Sequence, residues 1–339
     1  MRIGIVGAGL QARRRLSAFG PADTLVAVAA PNPAVVEALA APHGARPLED
    51  WRDLVARPDL DAVLVTTPPD LHEEIAVAAL TAGKHVLCEK PLASSAASAA
   101  RMEAAAAAHG RVLHCGFNHR FHPAIRELGS IVHEGRYGRP LSAVGVYGYG
   151  YRAGYADEWR ADPAVVSGGQ LMEQGIHLVD LIDSLLFPIA DVVAHTQETF
   201  GMAAGLEDDA HVMLRSATGQ LAFVRSSLSL WRNRFTFDVT LERATVRVDG
   251  LGASYGEQTL IVDERGTGPF TSSVISFRGG DQSWGAEWRY FHDLVAANPA
   301  GPPDPAGRQA LAVVEAAYES TRTGRWTPVP PPSPLQENR

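Results

Sequence analysis

A short apolar run, followed at once by a glycine-containing turn and a helix, is the feature that most constrains how this chain can fold. Residues 2–6 form the run, and Gly7, Gly9 and Ala12 follow it in a G-x-G-x-x-A pattern that opens a helical stretch to about residue 19. Glycines at these places allow a tight turn in which the backbone can come close to a bound group. The pattern therefore predicts the first strand, turn and helix of a parallel α/β sheet.

Strand-like and helix-like segments continue to alternate up to residue 115. Further apolar runs lie at residues 25–30, 61–66, 85–88 and 111–115, with helical patterns between them. Strands that alternate with helices at this spacing indicate a parallel sheet with helices on both faces. We expect an N-terminal Rossmann domain over residues 1–120.

The pattern changes after Pro123. A helix to about residue 134 and an alternating strand at residues 141–151 lead into an irregular segment and then a strongly apolar helix at residues 170–187. Runs of strands without intervening helices indicate an antiparallel or mixed sheet; we place them at residues 192–200, 210–216, 220–230, 235–242 and 245–248. Two late helices, near residues 288–297 and 308–323, close a second α/β domain over residues 121–326, and a proline-rich tail occupies residues 327–339.

The composition excludes several classes of protein. The 339 residues are 46% hydrophobic and 20% charged, as in soluble globular proteins, and the net charge of -8 argues against a nucleic-acid binder. The two cysteines, Cys88 and Cys115, lack metal-ligand spacing and fit reduced core thiols. The sequence shows neither the pattern of a secretory leader nor an apolar run long enough to span a membrane. We therefore expect a cytoplasmic protein with no metal site and no membrane partner.

The glycine-containing turn predicts a dinucleotide site at the start of the first helix. Residues Gly7, Gly9, Leu10, Gln11 and Ala12 would hold the pyrophosphate, since backbone amides at a helix N-terminus favour an anion.

The choice between NAD and NADP stays open, with NAD the favoured cofactor. The acid that normally meets the adenosine ribose lies about 20 residues further on, but this chain has Ala30, Pro31 and Asn32 there. Asn32 could bond a free 2′-hydroxyl, whereas Arg13 and Arg14 could reach a 2′-phosphate.

Lys90 is the first candidate catalytic residue. Among the 30 basic residues only Lys84 and Lys90 are lysines, and Lys90 directly follows a buried-looking strand and Glu89. A desolvated lysine near positive charge can release its proton and act as an acid or base, which arginine does not do.

Taken together, the motifs resemble those of the Gfo/Idh/MocA oxidoreductases, over about residues 1 to 325. The matching residues are Gly7-x-Gly9-x-x-Ala12, Thr67-Pro68-x-x-x-His72, Ala82-Gly83-Lys84-His85-Val86, Glu89-Lys90-Pro91, Gly116-Phe117-Asn118-x-Arg120 and Gly168-Gly169-x-x-x-Glu173-x-Gly175-x-His177-x-x-Asp180. Glu173 departs from the family pattern, which usually has Asp there.

The resemblance implies a Rossmann domain and a second α/β domain with an open, mostly antiparallel sheet, whose face packs against another subunit in a homodimer or homotetramer. It further implies that Lys90 lies beside the nicotinamide and the substrate hydroxyl. Glu89 would contact the nicotinamide ribose, and Thr67, Pro68 and His72 would also line the cofactor site.

Three ionisable residues of the apolar helix complete the predicted catalytic group. Glu173, His177 and Asp180 are spaced i, i+4 and i+7, which places them on one helix face. Oxidation of a secondary alcohol needs a base for the hydroxyl proton. His177 would be this base, Glu173 would orient it and Lys90 would stabilise the alkoxide, or Lys90 and His177 would exchange roles. Asp180 would either contact a substrate hydroxyl or contact and position a residue that does so.

Substrate selection is predicted in the segment before the catalytic helix. Tyr147, Tyr149 and Tyr151 share one strand face, and aromatic faces suit the C–H surfaces of sugars. A polar pocket for hydroxyls or an anionic group would be formed by Arg152, Trp159 and Arg160 with Asn118 and Arg120.

The sequence therefore predicts an NAD- or NADP-dependent dehydrogenase or ketoreductase that acts on a CH–OH group of a sugar, cyclitol or sugar derivative. Two alternatives remain: a redox-neutral, NAD-dependent enzyme of glycosidase type, and a non-catalytic nicotinamide-binding regulator. The presence of Lys90, Glu173 and His177 together argues against the regulator.

Overall fold

The structure, a computed structural model, describes residues 1–201, 205–266, 268, 271–297 and 305–331, and these fall into two compact units. The first unit comprises Met1–Phe117 with Trp284–Arg308, and the second comprises Asn118–Ser283 with Gln309–Ser333. A late segment thus returns to the first unit, which boundaries drawn at residues 120 and 326 do not anticipate.

The first unit is built on a parallel sheet. Its strands are β1 (Arg2–Val6), β2 (Thr24–Ala29), β3 (Arg46–Leu48), β4 (Ala62–Val65), β5 (His85–Glu89) and β6 (Leu113–Gly116), in the order β3-β2-β1-β4-β5-β6. All the strand pairs are parallel, which confirms the predicted sheet. The short edge strand β3 was not predicted, because three residues around a proline carry no hydrophobic pattern.

The helices begin and end where local chemistry places their caps. In chain order they are α1 (Leu10–Leu16), α2 (Pro33–Ala40), α3 (Trp51–Val55), α4 (His72–Thr81), α5 (Ala96–His109), α6 (Pro123–His133), α7 (Ile176–Leu185), α8 (Ser283–Ala297) and α9 (Ala306–Thr323). Side chains of Asn32, Asp50 and Ser95 accept backbone N–H groups at the starts of α2, α3 and α5. The left-handed Gly110 ends α5.

Helix α8 contributes to the core of the first unit. Trp288 and Phe291 are buried in the same cluster as Ile3 and Ile5 of β1. The Trp288 ring stacks on Phe19 at 4.9 Å, and its indole N–H donates to Asp23 at 2.7 Å. These contacts explain why residues so late in the chain belong to this unit.

The second unit contains a larger sheet that is mostly antiparallel, as expected. Its strands are β7 (Pro140–Gly150), β8 (Ile189–Gln197), β9 (Asp209–Ser216), β10 (Leu221–Ser227), β11 (Ser229–Leu241), β12 (Ala244–Asp249), β13 (Gln258–Glu264), β14 (Thr271–Phe277) and β15 (Thr327–Pro328), in the order β14-β13-β12-β11-β7-β10-β9-β8-β15. The β7–β10 pair is parallel. Strands β13 and β14 were not predicted; β14 is exposed along nearly its whole length and has no buried face to create an alternating pattern.

The predicted helix at residues 170–187 consists of two parts. A π-helical turn, Leu171–Gly175, precedes α7. Glu173 thus lies in the π-turn and His177 in the first turn of α7. Of the predicted tail, Thr327 and Pro328 pair with β8, and residues 332–339 lie outside the described residues.

In the portion of the chain that the structure describes, every helix is too short or too polar to cross a lipid bilayer.

Candidate functional site

The turn between β1 and α1 has the shape that the glycine pattern predicts. Gly7 adopts a left-handed φ of 98°, and a Cβ added there would come within 2.7 Å of the Thr66 carbonyl oxygen. A Cβ at Gly9 would meet no atom within 4 Å, so the surface above this residue is open. Gly9 also begins α1 without a side-chain cap. The turn therefore offers an open backbone cradle beside uncapped amides, which fits a dinucleotide pyrophosphate.

Asn32 has a structural role that was not predicted. Its Oδ1 accepts the backbone amides of Ala34 at 3.1 Å and Val35 at 3.4 Å, so it caps α2 just beyond the end of β2. The oxygen is thus engaged, and the Asn32 NH2 group is the part that can meet a ribose hydroxyl. Arg13 and Arg14 are exposed on α1, and the Arg14 guanidinium lies 5.7 Å from the Trp284 ring.

His72, which the resemblance assigns to the cofactor site, contacts backbone. The side chain is buried, and its Nε2 and Nδ1 lie 2.9 Å from the carbonyl oxygens of Thr67 and Pro91 respectively. Burial lowers the pKa of His72, although the two carbonyls oppose this effect. A neutral imidazole donates to one of these oxygens at a time. The ring therefore joins the loop after β4 to the turn after Lys90.

Glu89 is held by an arginine that the sequence reasoning did not identify. Glu89 is 5% exposed, and its Oε1 accepts a hydrogen bond from Arg15 Nε at 2.7 Å. Arg15 is itself buried on α1, and its Nη1 pairs with Glu287 of α8. His114 Nε2 lies 3.4 Å from the other Glu287 oxygen. The structure thus places Glu89 in a buried ionic cluster, Arg15–Glu89–Glu287–His114.

The charges of this cluster support one another. Burial alone would lower the pKa of Arg15, but the carboxylates of Glu287 and Glu89 outweigh it and raise this pKa. Burial would likewise raise the pKa of Glu287, but Arg15 and His114 bring it below its ordinary value. Arg15 follows Ala12 by three positions and therefore lies on the same, buried face of α1. This spacing is the sequence signal that could have indicated Arg15.

Lys90 follows Glu89 directly and is half-buried, and the Lys90–Pro91 peptide bond is cis. It is thus placed between Glu89, which Arg15 holds, and Pro91, whose carbonyl contacts His72.

In the second unit, Glu173 accepts hydrogen bonds from three side chains. Arg160 Nε donates to Oε1 at 3.1 Å, while the Tyr155 hydroxyl at 3.1 Å and Gln170 Nε2 at 3.0 Å donate to Oε2. The structure therefore brings the predicted residues Arg160 and Glu173 together. Tyr155 and Gln170 were not predicted, because nothing in their spacing marks them as partners of Glu173.

An ionic chain extends from Glu173 toward solvent. Glu158 lies between Arg152 and Arg160 and pairs with both. The Arg160 guanidinium also lies 4.4 Å from the ring of Trp159, which is 42% exposed. The predicted substrate residues Arg152, Trp159 and Arg160 thus form one connected group.

Tyr149 is a further predicted aromatic residue that the charge of Glu173 affects. Burial, and then the charge of Glu173, raise the pKa of the Tyr149 hydroxyl above its ordinary value, so the hydroxyl stays protonated at neutral pH.

Arg120 and Asp180, both predicted to contact substrate, pair with each other. Arg120 Nε and Nη2 donate to the two Asp180 oxygens at 2.7 and 2.6 Å. Asp180 is 2% exposed. Both oxygens of the Asp180 carboxylate thus accept from the Arg120 guanidinium.

His177 is buried against a second histidine that was not predicted. The rings of His119 and His177 are 3.7 Å apart, and the Tyr147 ring is 6.0 Å from His177. His119 occupies the unassigned position of the Gly-Phe-Asn-x-Arg motif, between Asn118 and Arg120. Asn118 is also buried, with its Oδ1 3.3 Å from His119 Nδ1.

Comparisons with known proteins agree with this architecture. Residues 1–117 match a family model described as "Oxidoreductase family, NAD-binding Rossmann fold", and residues 125–247 match one described as "GFO/IDH/MocA C-terminal domain". Inositol 2-dehydrogenase 2 of Saccharopolyspora erythraea is 33% identical over 66% of each chain. Levoglucosan dehydrogenase of Pseudarthrobacter phenanthrenivorans is 25% identical over 97% of this chain and 98% of its own.

A solved structure of a levoglucosan dehydrogenase in complex with NADH superposes with a TM-score of 0.88. It is 24% identical, and the match covers 97% of this chain and 99% of the other. At this identity the likeness establishes the fold.

Proposed function

Because this chain belongs to the GFO/IDH/MocA family of NAD-binding oxidoreductases, we propose that it transfers a hydride between a nicotinamide dinucleotide and a secondary hydroxyl or ketone of a sugar, cyclitol or sugar derivative. The observation that carries the proposal is the family match over both units, in a chain that has Lys90, Glu173 and His177 at the motif positions. Relatives named as inositol and levoglucosan dehydrogenases support the substrate class.

In this proposal the first unit holds the dinucleotide. The Gly7–Ala12 turn receives the pyrophosphate, and Thr67 and Pro68 line the site from the loop after β4. When bound, the nicotinamide accepts or returns the hydride. His72 lines the cofactor site as well and, with Arg15, holds the turn that carries Glu89 and Lys90.

The second unit supplies the proton acceptor and the substrate pocket. His177 takes the hydroxyl proton, and Lys90 stabilises the oxygen as its charge develops. Glu173, held by Arg160, Tyr155 and Gln170, places a fixed negative charge in the same unit as His177. This charge favours the protonated imidazole that forms during oxidation.

We infer that NAD is the preferred cofactor. Asn32 offers its NH2 group at the end of β2, where a ribose 2′-hydroxyl can accept a hydrogen bond. Exposed Arg13 and Arg14 are the features that would favour NADP instead.

We further propose that the protein works in the cytoplasm as a homo-oligomer. Cys88 and Cys115 are buried free thiols, which suits a reducing compartment. Val144 and Phe223 pair across β7 and β10 and are 49% and 44% exposed, so this face of the sheet can bury apolar area against a second copy. Light scattering of the purified protein tests the assembly; a monomer would contradict it.

A cofactor titration followed by a substrate screen tests the function. We expect NADH fluorescence to show tighter binding than NADPH, and net reduction of NAD when inositols, anhydrosugars and free sugars are supplied. Retention of NAD without net reduction would indicate a redox-neutral enzyme. Failure to bind either dinucleotide would contradict the proposal.

A further inference from the structure

A chain of hydrogen bonds in the second unit leads from Asp281 to His119. The Ser283 hydroxyl lies 2.6 Å from Asp281 Oδ1, and the Ser283 amide donates to the same oxygen at 2.9 Å. Asn118 Nδ2 lies 2.9 Å from Ser283 Oγ, and Asn118 Oδ1 lies 3.3 Å from His119 Nδ1. Asn118, His119 and Ser283 are all buried.

The direction of each bond in this chain follows from the Asp281 end. A carboxylate only accepts hydrogen bonds, so the single Ser283 hydroxyl proton points at Asp281. Ser283 Oγ must then accept from Asn118, which places the amide NH2 toward Ser283 and the amide oxygen toward His119. The remaining bond needs a donor on His119, so Nδ1 carries the proton. In the neutral ring this leaves Nε2 as the acceptor.

The ring that is fixed in this way packs against His177. The two centroids are 3.7 Å apart with the planes inclined by 37°, which is closer than the contacts of His119 with Tyr147 at 5.0 Å, His122 at 5.5 Å and Phe235 at 5.7 Å. His119 thus packs directly against the His177 ring. It is also connected to Asp281 through the side chains of Asn118 and Ser283.

We propose that His119 is a positioning residue for His177. The Asp281–Ser283–Asn118 chain selects its Nδ1-protonated tautomer and fixes its ring plane, and this ring holds the His177 imidazole in the orientation needed for proton transfer. The proposal rests on the function proposed above, in which His177 is the proton acceptor. It matters for rate because a displacement of about 1 Å in a reacting group can cost about a hundredfold.

The tautomer can be measured without any turnover. In protein labelled with 15N-histidine, the ring nitrogens of His119 are identified by the signals that disappear in His119→Gln. At a pH where the ring is neutral, we expect a protonated Nδ1 and an unprotonated Nε2. Ser283→Ala should give a mixture of tautomers, and Ser283→Thr, which keeps the hydroxyl, should retain the wild-type pattern. An Nε2-protonated ring in the wild type, or an unchanged pattern in Ser283→Ala, would overturn the inference.

Kinetics then separate positioning from binding or folding. His119→Phe keeps a ring but removes the bond to Asn118; we expect kcat to fall by about tenfold or more while KM and the dinucleotide Kd stay within about twofold. Ser283→Ala should lower kcat in the same sense, and Ser283→Thr should recover it. A loss confined to KM would make His119 a substrate-binding residue, and an unchanged kcat in His119→Phe would leave the ring with a packing role alone.

The two proposals fail in different ways. If the wild-type protein oxidises no sugar or cyclitol, the proposed function fails while the tautomer measurement still reports on the hydrogen-bond chain. If the wild type turns over and the tautomer does not depend on Ser283, the positioning role fails and the function stands.

Discussion

At the scale of single residues, the Lys90 ammonium group is the one on which the proposed hydride transfer most directly depends. Lys90→Met keeps the length and apolar stem of the side chain and removes the ammonium group that, in the proposed function, stabilises the reacting oxygen. We expect turnover to be lost, with a reduction of at least about a hundredfold, while the Kd for NADH changes by less than about tenfold, since the Gly7–Ala12 turn is untouched. The measurement is kcat alongside fluorescence titration.

The only other lysine of the chain offers a matched control. Lys84 precedes β5 and lies outside the proposed site, so Lys84→Met should keep wild-type turnover. Near-normal activity in Lys90→Met would remove Lys90 from the catalytic group.

Arg15 provides a second prediction at this scale, concerning stability. It is buried against Glu89 and Glu287, so Arg15→Met leaves two buried carboxylates without their guanidinium. Removing one partner of a buried ion pair typically costs about 3–5 kcal/mol. We expect a loss of this size in the free energy of unfolding at neutral pH, measured by urea denaturation.

The stability difference between Arg15→Met and the wild type should depend on pH, which a simple loss of packing would not cause. In the wild type, the pKa of Glu287 is below its ordinary value of 4.5, so its contribution to stability is complete above that value and is lost as the pH falls through the folded pKa. In Arg15→Met, burial is opposed by His114 alone and should raise this pKa. The variant should therefore regain stability relative to the wild type as the pH is lowered toward 4.5. A constant difference at all pH values would contradict the role of charge.

At the scale of elements, the π-helical turn that carries Glu173 is held by Glu207. The Glu207 carboxylate accepts the amides of Gly169 and Leu171 and the Tyr318 hydroxyl, each at 2.9 Å. A Cβ at Gly169 would overlap the Glu207 carbonyl oxygen, so glycine is required for this close approach. The carboxylate thus holds the backbone on both sides of Gln170, directly where the turn begins at Leu171.

Replacing this carboxylate by an amide tests that role. Glu207→Gln turns an NH2 group toward at least one of the three donors, which are the two amides and the Tyr318 hydroxyl. Because two donors cannot bond each other, the start of the turn should shift and displace Glu173. We expect a loss of about 1–3 kcal/mol in stability from the unsatisfied bonds and a fall in kcat that exceeds the change in dinucleotide Kd. Tyr318→Phe, which removes one donor and leaves the two amides paired, is the control and should have the smaller effect. Equal dinucleotide and kcat losses would contradict a local effect.

Sequence reasoning succeeded for elements whose pattern is local. The buried strands β1, β4 and β5 are continuous apolar runs followed by turns, and these alone predict the parallel sheet. It failed where the pattern is absent, as for the exposed β14.

The candidate site was predictable to the extent that motifs mark it. Glu89 and Lys90 were identified by their motif, but Arg15 and Glu287 are 272 positions apart, and no local spacing connects them. The contact of His119 with His177 was missed for the same reason: His119 lies in a short 3-10 turn, Asn118–Phe121, and His177 lies in α7, so no local spacing connects the two rings.

At the scale of the whole molecule, the first unit is completed only after the chain has passed through most of the second. Residues Trp284–Arg308 return to it and add the buried Trp288 and Phe291 to the core around β1, as well as Glu287 to the Arg15 cluster. The dinucleotide-binding unit is thus not an autonomous N-terminal segment.

This arrangement predicts that one late tryptophan governs the stability of the N-terminal sheet. Trp288→Ala should lower the free energy of unfolding by about 3–5 kcal/mol, because it removes a large side chain that is 2% exposed and stacks on Phe19. Hydrogen exchange should accelerate in the amides of β1 and β2 and remain unchanged in β7 and β10. Trp326→Ala, at a site 37% exposed in the second unit, is the matched control and should leave β1 protected. If β7 and β10 lost protection to the same extent as β1 in Trp288→Ala, the two units would open together, and the local role of α8 would be wrong.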